Sequence, residues 1–256
     1  MAWQFWIDRG GTFTDIVARA PDGQMLTKKL LSENPERYKD AALAGIREFL
    51  RLGADDPIPE GAIESVKMGT TVATNALLER KGARTLLIVN KGFGDLLRIG
   101  NQARPRLFDL DIRLPSMLYG RVAELPGRHA IDGELVEEPD DAAAMALLAE
   151  AHQDGFESVA VALIHAWKYP ALEQRLGRLA RDAGFRQISL SHIASPLLRL
   201  VPRADTTVAD AYLSPVLAKY IQQVSGGLST LAKSTGVMLK PLTNLRRSIS
   251  CNRMAG

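Results

Sequence analysis

The chain has 256 residues, 46% hydrophobic and 24% charged, enough apolar mass for one large domain or one and a half ordinary ones. Its net charge of +3 is uneven: residues 1–210 hold 26 basic against 29 acidic groups, and every charge after Asp210 is basic, so the tail carries the excess and nothing points to nucleic acid. Cys251 is the single cysteine, the first apolar run is broken by Asp8 and Arg9, and no run reaches the roughly 20 apolar residues of a membrane helix; the sequence therefore predicts a cytoplasmic protein that uses no disulfide and binds no membrane.

The N-terminus reads as a meander of three short strands. "WQFWID" (3–8) passes through a glycine pair into "TFTDIVARA" (12–20), and the turn "PDGQ" (21–24) leads into "MLTKKLL" (25–31). Ala42, Ile46, Phe49 and Leu50 recur at helical spacing and predict a helix over about 36–52, stopped by Gly53. "ESVKMG" (64–69) is a strand, "TVATNALLERKG" (71–82) a helix ended by Gly82, and "RTLLIVN" (84–90) a strand buried on both faces.

Residues 91–136 show little regular pattern beyond a hairpin near 131–138. Order then returns. Asp140 or Asp141 caps a helix, "ESVAVALIH" (157–165) is a buried strand, "PALEQRLGRLARDAG" (170–184) a helix and "QISLSH" (187–192) a strand. A last long helix starts near Thr207, with "YLSPVLAKYIQQV" (212–224) as its apolar stripe. Three antiparallel strands followed by α/β units is the arrangement of ribonuclease H-like half domains; a dinucleotide-binding sheet would open strand–helix–strand.

"FWIDRGGTFTDIV" (5–17) holds the first candidate site. Gly10 and Gly11 let a ligand approach the backbone, and successive amides in such a turn form an anion-binding nest. Thr12 and Thr14 add hydroxyl donors. Asp8, at the end of the first strand, can hold Mg²⁺ directly or through water, and the metal bridges phosphate oxygens. Asp15 orients the loop or the metal's water. The same residues also make an ordinary hairpin turn with Asp8 capping its own backbone.

A second stretch, "MGTTVATNALLERKG" (68–82), sets Gly69, Thr70 and Thr71 between a strand and a helix. Free amides at that helix start could take an anion, and Asn75 lies one turn beyond Thr71 on the same face. Thr70 or Thr71 as a plain N-cap is the alternative. The four histidines lack zinc spacing. His165 ends a buried strand, as either a ligand-facing or a satisfied core histidine. Ser195 has no nucleophile elbow. Arg104 or Arg106 could meet a carboxylate or sit in a solvated loop.

Six stretches in order resemble the hydantoinase/oxoprolinase family: "IDRGGTFTD" (7–15), "KLLSENP" (29–35), "MGTTVATNALLERKG" (68–82), "GFGDLLRIGNQARPRLFDL" (92–110), "LSHIASPLLRLVPR" (190–203) and "DAYLSPVLAKYI" (210–221). Hydantoinase and acetone carboxylase members show D-I-G-G-T and H-G-T-T; Arg9 and Met68 look like the oxoprolinase branch. The resemblance implies an α/β fold, a ribonuclease H-like (actin-like ATPase) mixed sheet with helices on both faces. It also implies ATP with Mg²⁺ and a small lactam substrate. The implied reaction phosphorylates the amide oxygen of 5-oxo-L-proline, and ring opening and hydrolysis then yield L-glutamate, ADP and phosphate.

By the same resemblance Asp8 serves Mg²⁺, and Gly10, Gly11, Thr12 and Thr14 serve phosphate. Asp8 and Thr12 act in the transfer. Asp15, Gly69, Thr70, Thr71 and Asn75 line the nucleotide or substrate side. Related readings within the superfamily are a hydantoin or a ketone as substrate, or an inactive fragment.

Family members are much longer, so the resemblance implies a partner region or subunit of the hydantoinase B type; a homo-oligomer is left open. Residues 1–200 are expected to form the N-terminal domain and 201–240 to open the next. "VMLKPLTNLRRSISCNRMAG" (237–256) is acid-free and unlike the family, and residues 241–256 are expected to be an aberrant basic tail from a frameshift or premature stop. The fold is then truncated before its second half, and the isolated chain is expected to be inactive, because half a clamp does not exclude water.

Overall fold

The computed structural model describes residues 2–53, 56–101 and 115–232. They fall into two compact units, one running to Thr71 and taking in the described chain from Ile221, the other Val72–Tyr220. The expected residues Arg104 and Arg106, and the tail 237–256 with Cys251, lie outside the described residues.

The first unit is built on the N-terminal meander. β1 (Trp3–Arg9), β2 (Phe13–Arg19) and β3 (Met25–Leu31) pair antiparallel in turn, and β4 (Ile63–Thr70) joins β1 in parallel, giving the order β3-β2-β1-β4. Alternation sets the faces. Phe5, Ile7, Ile16 and Ala18 are buried on one side, where α1 (Ala41–Phe49) packs Ala41, Ala42 and Ile46. Trp3 stacks on Phe5 at 5.9 Å between centroids, and Phe49 lies 6.1 Å from each.

α1 is shorter than its periodicity suggests. The Asp40 side chain accepts from the Leu43 N–H and fixes the start. Arg51 ends the run with φ 56°, a left-handed residue two positions before Gly53.

The second unit is a parallel sheet. It contains α2 (Val72–Leu78), β5 (Thr85–Asn90), α3 (Leu96–Ile99), β6 (Tyr119–Leu125), the small hairpin β7 (Arg128–His129) and β8 (Leu135–Glu137), and α4 (Asp141–Gln153). β9 (Ser158–Val161), α5 (Ala171–Asp182), β10 (Gln187–Leu190), α6 (Ser191–Ala194) and α7 (Leu200–Ala232), which belongs here as far as Tyr220, follow. The order β10-β9-β5-β6 is parallel throughout. All of β5 and β9 is buried, as strands covered on both faces require.

One layer packs Leu86, Ile88, Val159 and Val161 against Leu148 of α4 and Leu176 and Ala180 of α5. The other packs Leu87, Val89 and Ala160 against Leu97 of α3 and Ala204, Val208 and Ala211 of α7. The α/β class is the one expected, with the strands divided between a mixed sheet and a parallel one. Two finer differences have local causes. α2 ends at Leu78, ahead of a left-handed Arg80 (φ 57°), and Gly82 has another task, since a Cβ there would lie 2.1 Å from the Tyr212 ring. α7 starts at Leu200, well before Thr207.

A buried ionic network closes one end of this sheet. Glu173 of α5 is fully buried and accepts from the Leu163 N–H (2.9 Å), the Ser191 hydroxyl (2.5 Å), the His192 N–H (3.0 Å) and His192 Nδ1 (2.6 Å). Arg203 of α7, also fully buried, donates from Nε to Ser191 Oγ at 2.9 Å and from its end groups to the Leu163 and Leu197 carbonyls. Burial lowers the Arg203 pKa, and the Glu173 charge opposes that shift. His165, just past β9, is half-buried and left-handed, with φ 59°.

Candidate functional site

The turn between β1 and β2 is tight. Gly10 N–H donates to the Phe13 carbonyl at 2.9 Å, and a Cβ on Gly10 would sit 2.9 Å from that same oxygen, so no other residue fits without opening the turn. The turn is braced from behind by Ser32, one residue past β3. Ser32 N–H donates to the Thr12 carbonyl at 2.9 Å, and its hydroxyl donates to the Gly10 carbonyl at 2.7 Å. Thr14 Oγ1 lies 3.0 Å from Ser32 Oγ; with that proton committed to Gly10, Thr14 is the donor of this pair.

Two carbonyls of the turn are thereby held toward Ser32. The N–H groups of Gly11 and Thr12 and the Thr12 hydroxyl make no hydrogen bond among the described residues, and both residues are exposed. Successive free amides next to glycine are the groups from which anion-binding nests are made.

Thr14 itself stands elsewhere. It is fully buried on the core face of β2, so its hydroxyl supports the turn through Ser32 instead of meeting solvent. Asp8 and Asp15 are on the opposite face. They are register partners in the β1–β2 ladder, and both are exposed. Lys29 reaches Asp15 at 3.4 Å, while Asp8 has no ion pair or hydrogen bond among the described residues.

Like charges directly opposite each other destabilise a strand pair. One lysine against two carboxylates leaves room for a cation. Among the described residues no group of three metal-ligating side chains occurs. Mg²⁺ takes one or two protein carboxylates and keeps water and phosphate for its remaining positions, and Asp8 and Asp15 are the two carboxylates side by side here.

The second stretch arrives beside the first. Asp8 pairs with Gly69 and Arg9 with Thr70 in the β1–β4 ladder. A Cβ on Gly69 would lie 3.7 Å from Asp8 Oδ1, and the Thr71 N–H and hydroxyl both donate to the Arg9 carbonyl, at 3.1 and 3.3 Å. Asp8, Gly10, Gly11, Thr12, Asp15, Gly69, Thr70 and Thr71 thus share one end of the first unit's sheet. Asn75 is on α2, in the second unit.

Two contributors escape the motif reading. Ser32 lies in "KLLSENP", where nothing in spacing reveals which carbonyls it will meet. Arg9, beside the glycines, donates from Nη1 to Asp40 Oδ2 at 2.7 Å, on the core side. Asp40 caps α1 at the same time, so one carboxylate ties the turn's flank to the helix start.

The hydantoinase/oxoprolinase N-terminal region matches residues 4–184. The chain is 43% identical to 5-oxoprolinase 1 of Arabidopsis thaliana over 246 residues, covering 85% of this chain and 19% of that protein. It is 38% identical to the 5-oxoprolinase of Saccharomyces cerevisiae, covering 87% and 20%. The crystal structure of the ATP-dependent caprolactamase from Pseudomonas jessenii superposes with a TM-score of 0.75 at 28% identity, over 93% of this chain and 34% of that one. The chain thus spans about a fifth of the length of these two 5-oxoprolinases.

Proposed function

The chain belongs to the hydantoinase/oxoprolinase family, and from that premise we propose that it is the phosphate-handling front of an ATP-dependent cyclic-amide hydrolase whose substrate is 5-oxo-L-proline. The remainder of the reaction machinery belongs to the longer protein or to a hydantoinase B-type partner.

One observation carries the reading. The amides of Gly11 and Thr12 have no hydrogen-bond partner among the described residues, beside an exposed Asp8 that faces Asp15. The relatives named 5-oxoprolinase, at 43% and 38% identity, support the choice of substrate.

A lactam carbonyl is a poor electrophile. In the proposed reaction its oxygen bonds to the terminal phosphorus of ATP as the bond to ADP breaks. Water then adds at the activated carbon, the C–N bond opens, and a second water releases phosphate and L-glutamate. Gly11 and Thr12 hold the terminal phosphate oxygens with N–H groups fixed in advance, which is where positioning and charge stabilisation act on phosphoryl transfer. Asp8 would hold Mg²⁺, which supplies neutralisation of phosphate charge. The Thr12 hydroxyl adds a donor, and Ser32 and Thr14 keep the turn from collapsing onto its own amides.

The test is ATP hydrolysis by the full-length protein with 5-oxo-L-proline, hydantoin and caprolactam supplied in turn. Stimulation by 5-oxo-L-proline above the other two is expected. Equal or greater stimulation by hydantoin would transfer the chain to another substrate class.

A further inference from the structure

Described residues from two of the stretches that carry the family likeness, within 72–82 and 92–101, meet at one cavity inside the second unit. Arg80 follows α2, Leu97 and Arg98 are on α3, Met117 and Leu118 precede β6, and Asp205 is on α7. These residues line an open space of about 600 Å³, a size usual for small-ligand sites.

Its walls divide by chemistry. Leu97 is buried and Met117 and Leu118 are half-buried, all packed on the core layer beneath α7. Arg80 and Arg98 are exposed, and neither makes an ion pair among the described residues; Arg98 has only a 3.4 Å contact from Nη1 to the Pro115 carbonyl. Asp205, exposed as a residue, has its carboxyl far enough among protein atoms that burial raises its pKa. Among the described lining residues, two guanidinium groups against one carboxylate leave a single positive charge over an apolar floor.

We infer that this cavity is the subsite for a small cyclic amide bearing one carboxylate, with Arg98 and Arg80 taking the carboxylate and Leu97, Met117 and Leu118 taking the ring. The inference rests on the reading that the longer protein acts on 5-oxo-L-proline. Guanidinium groups match a carboxylate fork with two parallel hydrogen bonds, and the charge left over equals that of a monoanion. The ring's N–H faces Asp205 as an acceptor. A lactam without a carboxylate gains only the wall contacts and the Asp205 hydrogen bond, so the two arginines set the specificity.

The test is calorimetry on the 256-residue chain, with 5-oxo-L-proline and with 2-pyrrolidinone, the same ring lacking the carboxylate. The wild-type chain should bind 5-oxo-L-proline at least tenfold more tightly. Arg80→Gln with Arg98→Gln should remove that advantage and leave 2-pyrrolidinone binding unchanged, while Arg98→Lys should keep part of it. Both arginines are exposed, and circular dichroism checks that the variants fold.

No binding of 5-oxo-L-proline, equal binding of both ligands, or an affinity untouched by the double substitution overturns the inference. A parallel Mg–ATP titration separates the two ideas. Nucleotide binding without lactam binding sinks the cavity alone, and arginine-dependent lactam binding without nucleotide binding sinks the phosphate site alone.

Discussion

Asp8 stands directly across from Asp15 in the β1–β2 ladder, both on the sheet face opposite the buried Ile7, Thr14 and Ile16. An exposed pair of like charges at this spacing costs a few tenths of a kcal/mol, up to about 1. The cost ends when a cation is shared. Asp8→Asn should therefore hold or slightly raise the melting temperature without metal, and abolish the Mg²⁺-dependent part of ATP binding. Melting curves with and without Mg²⁺ give the first quantity and calorimetry the second. A variant that unfolds would make Asp8 a structural residue.

Ser32 is 4% exposed and joins Thr14 to the turn. Ser32→Ala leaves the Thr14 hydroxyl and the Gly10 carbonyl unsatisfied, which should cost about 1–3 kcal/mol. ATP affinity should fall as well, since the turn's carbonyls are released. Adding Thr14→Val should cost less than the two single changes summed, because both remove the same chain of bonds. Full additivity in urea denaturation would show that the two residues act separately.

The sequence reading and the structure agree where local chemistry decides. The meander's three strands were legible because Gly10, Gly11, Pro21 and Gly23 punctuate alternating apolar runs, and Asp140 announced the start of α4 by its cap. β6 was not legible. "YGRVAEL" buries two of seven residues as an edge strand, and Gly120, Arg121 and Glu124 mask its alternation. At the site, glycines and Asp8 are visible as motif letters, whereas the roles of Ser32 and Arg9 depend on partners 22 and 31 positions away.

The Glu173 carboxylate accepts four hydrogen bonds in a fully buried position, and Arg203 balances its charge through Ser191. Glu173→Gln would point an amide donor at donors from His192 and leave Arg203 uncompensated. Breaking one partner of such a network costs about 3–5 kcal/mol. Guanidinium denaturation of both chains checks this. A loss below about 1 kcal/mol would mean the network relaxes freely.

Burial raises the pKa of Asp205 above its ordinary 3.8. A raised acid prefers its proton in the folded state, so ionisation subtracts stability above the folded pKa and subtracts nothing below the unfolded one. Asp205→Asn should accordingly stabilise the chain at neutral pH, with the gain disappearing as pH falls through the folded pKa toward 3.8. Melting temperatures of both chains across pH 3–7 measure it, and a gain that persisted at the acid end would have another origin.

The most direct measurement follows the amide signals of the ¹⁵N-labelled chain as Mg–ATP is added. The Gly11 and Thr12 N–H resonances should shift downfield in a saturable way, and Asp8→Asn should abolish the shift. Saturable changes elsewhere, with these two signals unmoved, would contradict the phosphate cradle on which the account rests.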